Sequence, residues 1–454
     1  MNSTPTSPLL RAPRGVTAVW QDRTWWSLVV LILVGRLAWW AFWGLLLEAD
    51  SAGYLDFQVA LYHPPGYTVF ANVVAGIFQW VDAVLVVQQL AYAVVAALFL
   101  WRHFPAGPIL WAMAVLLAIE PCSGQLGAAV MTETLFLGCL FLAWLGLSRI
   151  WDATIIHPWH VLLVGACLGA AYLLRFAAPV FVVAILLHLL GRGWPWRRWL
   201  WTACLLLIGF QGLLLPVRLY YKAQFGTWTL NAFSGASLWN LSAYLYPGSD
   251  VQAHPQGTFE TRLQAYADSN FIMKTTRYTN HIFQSFRPYP EYVAALGGGA
   301  QATAQASAEV GRTARRLLAE QPGRHLREFI LPNVLRPLSQ PDTIYADGLP
   351  DMIGRPMASL HRTRWQYSHF LWGFWMLVLL GATLWQVLDR RMPAMAGLLL
   401  WSVWLYYIAV VLLSVVFLRF LFVLAPVILL AHGLQVQAWW ASRARQDVHD
   451  CRNE

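Results

Sequence analysis

GYTVFANVVAGIFQW, residues 66–80, decides the fold. Asn72 and Gln79 are its only strongly polar side chains, so it reads as a helix beside or inside a membrane. Its 15 residues reach about 22 Å as a helix, short of the roughly 30 Å of a hydrocarbon core. If it crossed, every later loop would change sides. It is therefore expected to lie in the outer interface, as a re-entrant or juxtamembrane helix.

Working outward, apolar runs recur at 25–47, 81–101, 107–119, 131–149, 160–174, 177–190, 198–216, 368–388, 394–415 and 417–437, giving ten candidate spans. With the N-terminus inside, the inner segments hold Arg11, Arg14, Arg23, Arg102, Arg149, Arg192, Arg197, Arg198, Arg390, Arg391, Arg443, Arg445 and Arg452. The short outer turns hold only Arg175 and Arg419. The positive-inside rule thus selects cytoplasmic termini in a multi-pass protein of the plasma (inner) membrane. A spanning 66–80 would spoil that asymmetry. The 107–119 run is shorter still, yet parity requires it to cross, with local thinning or shelter from neighbours. The first run lacks a small-residue cleavage pattern and is expected to remain as an anchor.

Composition agrees. The chain is 454 residues long, 58% hydrophobic and 12% charged, values of a polytopic membrane protein rather than of soluble domains. Its 26 tryptophans suit many membrane–water boundaries. The net charge of +9 is distributed as topology demands, so nucleic acid is not an expected partner. The expected fold is all-α, with about ten transmembrane helices and one mixed or helical extracytoplasmic insertion.

The division is a tail (1–24), an N-terminal transmembrane module (25–216) with an outer loop at 48–66, the insertion (217–366), a C-terminal module (367–437) and a cytoplasmic tail (438–454). PGSD (247–250), HPQG (254–257), RPYP (287–290) and GGG (297–299) break up the insertion. Helices are expected near 300–320 and 323–336, the second limited or kinked by Pro332. Cys139, Cys167 and Cys204 fall in spans, Cys122 near the outer face and Cys451 in the tail, so neither a disulfide nor a zinc site is expected.

The outer face collects Glu48, Asp50, Asp56 and His63 from the first loop, and Glu120 and Glu133 from the turn after the third span. Arg175, Arg218 and Arg419 come from later segments. Each has a plainer reading: arginines at span ends snorkel to headgroups, Glu133 fits a helix cap, Glu48 and Asp56 fit solvated loop charges, and His63 fits a turn before Pro64-Pro65. Arg36, near the middle of the first span, needs an interior partner or long-range snorkelling. Carboxylates and arginines together at a membrane edge suit phosphate-linked group transfer. Guanidiniums bind and stabilise the departing phosphate, and a carboxylate accepts the proton of an incoming hydroxyl. An activated sugar outside the membrane arrives on a polyprenyl phosphate such as undecaprenyl phosphate.

The segments DSAGYL (50–55) with Pro64-Pro65-Gly66-Tyr67, MTETLF (131–136), GAAYLLRFAAP (169–179), RLYYKAQFGTWTLNAFSGASLWN (218–240) and RLLAEQPGRHLREFILPNVLR (316–336) occur in that order. Their order and placement resemble the GT-C-fold glycosyltransferases that use lipid-linked sugars, such as protein O-mannosyltransferases and lipid A aminoarabinose transferases. The resemblance implies transfer of a hexose or pentose, with inversion, for cell-envelope or polysaccharide synthesis. Asp50 would be the catalytic base, assisted by Glu133, with Asp56 as a further catalytic candidate. Tyr54, His63, Arg175, Arg218 and Arg419 would contact substrate. The chain departs from the pattern at Gln321-Pro322, where His-Pro is usual, and at Phe420 after Arg419.

Glu48-Ala-Asp50 is an acidic pair that could bind Mg²⁺ or Mn²⁺, but with only Glu133 as a third ligand no obligatory cofactor is expected. The partners expected are the polyprenyl-phosphate-linked donor, membrane lipids and an acceptor that is protein, lipid or polysaccharide. Two rival classes use the same charges: a transporter or flippase of an anionic lipid or solute, and a non-catalytic subunit of an envelope-polysaccharide assembly complex. No repeat symmetry supports the transporter.

Overall fold

The computed structural model describes residues 21–43, 51, 54–55, 63–121, 124, 127–152, 156–191, 193–231, 234–246, 259, 288–334, 368–389, 392–413, 421 and 423–453. Among the described residues the chain is all-α and no β-strand occurs.

The first module contains α1 (Arg23–Trp43), α2 (Pro65–Phe78), α3 (Asp82–His103), α4 (Pro108–Ile119), α5 (Glu133–Asp152), α6 (Pro158–Leu174), α7 (Pro179–Gly191) and α8 (Trp196–Phe225). The four shorter apolar helices, α2, α4, α6 and α7, each open on a proline. There the missing N–H forfeits no helical bond and the fixed φ suits the first turn. α1, α3, α5 and α8, with α13 (Ser368–Leu388) and α14 (Ala394–Leu413), supply six helices long and apolar enough to cross a membrane. Large side chains such as Leu377 and Val387, 71% and 70% exposed, stand on the outside. That exterior is the one a lipid-facing bundle requires, and the chain is an integral membrane protein.

α2 is the helix formed by the deciding stretch. It is 14 residues long and packs against α3 and α6. A Cβ added at Gly66 would lie 2.7 Å from the Leu173 carbonyl oxygen, so the glycine of Pro-Pro-Gly lets α2 close onto α6. A tighter seam joins α6 to α8. Added Cβ atoms at Gly165 and Gly209 would lie 2.2 Å from the carbonyl oxygens of Leu206 and Leu162. Small residues here allow backbone contact, which replaces the missing hydrophobic drive inside a membrane. α14 packs on α7 and on α15 (Ala425–Asn453), tying the C-terminal helices to the first module.

Two helices outrun their apolar cores. α8 continues through Pro216 to Phe225, where Gly226, at φ 70°, donates its N–H to the Lys222 carbonyl and stops it. α15 runs through the expected tail boundary to Asn453.

The insertion contains α9 (Ser234–Ser242), a 3₁₀ turn (Ala243–Leu245), α10 (Pro288–Ala295), α11 (Gly299–Glu320) and α12 (Pro322–His325). Its core is built on Trp239, Tyr246, Phe259, Tyr292, Val310 and Leu317. α9 crosses α11 at Gly235, whose N–H donates to Ser307 Oγ at 2.9 Å. A Cβ there would fall 1.7 Å from the Ser307 carbonyl oxygen.

Pro332 was expected to limit or kink this helix; the chain stays helical through Pro332 to residue 334 and widens before it into a π turn at Leu326–Ile330, in which Leu331 N–H reaches the Leu326 carbonyl. Pro332 cannot donate to the helix ladder, and widening the preceding turn relieves that gap. Phe329 of this turn is buried while Leu326 is exposed. Beyond it, Asn333 Nδ2 donates to the Val411 carbonyl at 2.8 Å and Tyr407 OH to the Val334 carbonyl at 2.9 Å. The insertion is therefore bonded to α14.

Candidate active site

The site begins with a buried stretch that is largely unwound. Residues 128–132, between α4 and α5, are buried but not helical. Unsatisfied carbonyls are costly inside a membrane protein, so the bundle must supply donors. Gln88 and Gln89 of α3 do so. Gln88 Nε2 donates to the carbonyls of Gly127 and Ala129 at 3.0 and 3.1 Å, and Gln89 Nε2 to that of Gly127 at 2.5 Å. Ser51 Oγ donates to the Val130 carbonyl at 3.1 Å. The glutamines are fixed in turn: Tyr67 OH donates to Gln88 Oε1 at 2.8 Å, and Arg36 Nε to Gln89 Oε1 at 3.0 Å. Arg36 is buried, with its guanidinium 4.8 Å from the Tyr92 ring centroid. It has the interior partners that its mid-span position demands.

This frame delivers Thr132 and Glu133 to the start of α5. Arg175 meets them from the extended residue that caps α6. Arg175 Nη1 donates to Glu133 Oε1 at 2.5 Å and to Thr132 Oγ1 at 3.2 Å. The side chains of Arg175 and Glu133 are 13% and 1% exposed. Two residues 42 apart in sequence thus form a buried ion pair, which needs such close geometry to offset lost hydration.

The pair borders a cavity of about 1110 Å³ between the first module, α14 and the insertion. Tyr54, His63 and Pro64 enter from the loop after α1. The Tyr54 ring lies 4.9 Å from those of both His63 and Tyr67. Phe176, Ala177, Val180, Tyr406, Ala409 and Val410 make a mainly apolar wall. Thr229, Asn231, Ser234, Ser237, Gln305, Ser307, Glu309, Arg312 and Arg315 make a polar one on the insertion.

Of the residues expected from sequence, Tyr54, His63, Glu133 and Arg175 meet in this cavity. Arg218 is not among its lining; it is half-buried on α8, within electrostatic reach of Tyr172. Asp50, Asp56, Glu48 and Arg419 lie outside the described residues. Among the described residues, no three His, Cys, Asp or Glu side chains gather as a metal site requires. Arg312 and Arg315 were not expected, because on the polar face of an amphipathic helix they read as solvated charges.

No protein-family model matches the chain, and no curated protein matches it. Among solved structures, the chain is similar to that of ArnT from Cupriavidus metallidurans bound to undecaprenyl phosphate, at 14% identity and a TM-score of 0.36, over 90% of this chain and 79% of that one. At that score and identity the likeness decides neither fold nor activity.

Proposed function

We propose that this protein is a membrane glycosyltransferase that moves a sugar from a polyprenyl-phosphate-linked donor to an acceptor hydroxyl at the extracytoplasmic face. One observation carries the reading: a single cavity joins a polar, cationic wall to an apolar wall of membrane helices. Its volume of about 1110 Å³ exceeds the roughly 300–1,000 Å³ typical of small-ligand pockets. It has room for a sugar phosphate head on the insertion side and the start of a lipid chain between α7 and α14.

In the proposed reaction Asp50 accepts the proton of the acceptor hydroxyl. The acceptor oxygen bonds to the anomeric carbon as the carbon–oxygen bond to phosphate breaks, and the polyprenyl phosphate leaves with the electron pair. Inversion follows from displacement on the opposite face. Ser51, next to Asp50 in sequence, is bonded to Val130 of the segment that carries Glu133. That bond supports a role for the Asp50 loop at this cavity. Glu133 and Arg175 hold each other and shape the rim, and Tyr54 and His63 offer a ring surface to the sugar. Arg419 is proposed as a further donor contact.

The test is transfer from a panel of radiolabelled polyprenyl-phosphate sugars into membrane acceptors, with wild type, Asp50→Asn and Glu133→Gln. Loss of a general base lowers transfer by roughly 10²-fold or more. Full activity in Asp50→Asn moves the base elsewhere. No transfer from any donor by folded wild type overturns the reading and favours transport or an assembly role.

A further inference from the structure

α11 brings Glu309, Arg312 and Arg315 to the cavity at successive intervals of three, along one side of the helix. They differ in what already holds them. Glu309 accepts a hydrogen bond from Tyr292 OH and another from Gln305 Nε2 at 3.3 Å. The neighbouring Arg316 is turned aside to Glu320, at 3.9 Å. Arg312 and Arg315 are exposed at the cavity, and among the described residues neither forms an ion pair. The cation on the opposite wall, Arg175, is already matched by Glu133. The insertion wall therefore carries an excess of positive charge aimed at the cavity, supplied by two guanidiniums one helical turn apart.

We infer that Arg312 and Arg315 form a phosphate-recognition site on the insertion, separate from the Glu133–Arg175 pair. Two planar forks about 5–6 Å apart at their Cβ atoms can engage different oxygens of one tetrahedral anion. A lone carboxylate saturates a single fork. The site's chemistry follows from the arginines alone; the source of its phosphate, lipid-linked donor or phosphorylated acceptor, rests on the function proposed above.

The test uses the full chain in nanodiscs and three probes: undecaprenyl phosphate, undecaprenol and inorganic pyrophosphate, titrated by calorimetry. Arg312→Gln/Arg315→Gln should lose roughly 10- to 100-fold in affinity for the phosphate lipid, with undecaprenol binding unchanged. Arg312→Lys/Arg315→Lys keeps the charge without the fork and should fall between; it also controls for folding of α11. A loss confined to pyrophosphate supports the site and assigns its phosphate to the acceptor side. Unchanged affinity for both anions in the folded Gln variant overturns the site while leaving the lipid-linked reading intact. Wild type that binds pyrophosphate through these arginines, but neither lipid, overturns the lipid-linked reading and leaves the site standing.

Discussion

On one wall of the cavity, Glu133 is 1% exposed, clamped to Arg175 and mounted on a segment whose carbonyls are held by two glutamines. On the facing wall, Arg312 and Arg315 stand exposed on a helix anchored through other residues. The first wall is finished before any ligand arrives, and its charges neutralise each other. The second keeps its charges available. Substitutions on the membrane side should therefore act first on folding, and those on the insertion arginines first on binding.

The sharpest way to break this contrast is to unpair the buried ions. Arg175→Met leaves Glu133 buried without its partner and should destabilise the protein by about 3–5 kcal/mol. Arg175→Met/Glu133→Gln should recover much of that loss. Thermal unfolding in detergent compares them; a double variant as unstable as the single would show that the pair does not act as a unit.

Next comes the frame behind it. Arg36→Met strips Gln89 of its donor, and Gln88→Leu strips the Tyr67 hydroxyl of its acceptor and two carbonyls of a donor. Each should cost about 1–3 kcal/mol, with slowed hydrogen exchange at residues 128–132 lost. An unchanged exchange pattern would mean the glutamines do not hold this segment.

The corresponding change in the insertion is Gly235→Ala, whose Cβ would overlap the Ser307 carbonyl. Overpacking of this kind costs about 1–3 kcal/mol. Here protease sensitivity should rise in α9–α11 and stay constant in α3–α6. Loosening of both regions together would show that they fold as one unit.

The smallest effect is on pH. Burial lowers the pKa of His325, which stacks on Phe329 with ring centroids 5.0 Å apart and bonds Tyr244 OH through Nδ1 at 2.7 Å. The folded insertion therefore favours the neutral ring. Its contribution is complete above the ordinary histidine pKa of about 6.5 and declines as pH falls through and below that value. His325→Phe should flatten the acid side of the insertion's stability profile.

Much of this bundle was legible in the sequence because hydropathy and proline placement are local signals. Each of the ten apolar runs carries a helix, and Pro64-Pro65-Gly66 begins α2 as its chemistry suggested. Helix ends were less legible. α8 passes Pro216 and Arg218 because an apolar run ends with hydrophobicity, whereas a helix ends at a backbone stop, here Gly226. Glu133 and Arg175 were read as charges at one depth with separate roles, and their pairing with each other was not expected. The Gln88–Gln89 frame was not, since its bonds join residues 38 to 41 apart and leave no periodic trace. Arg312 and Arg315 escaped notice because a solvated face and a ligand-facing one share the same helical pattern.

One consequence of the attachment to α14 is mechanical. The helix that gives Tyr406, Ala409 and Val410 to the apolar wall also carries the bonds from Asn333 and to Val334 that fasten the insertion. Floor and roof share a single beam. A bilayer that thins or thickens tilts its helices, and a tilt of α14 would carry its share of the apolar wall and the insertion's point of attachment together.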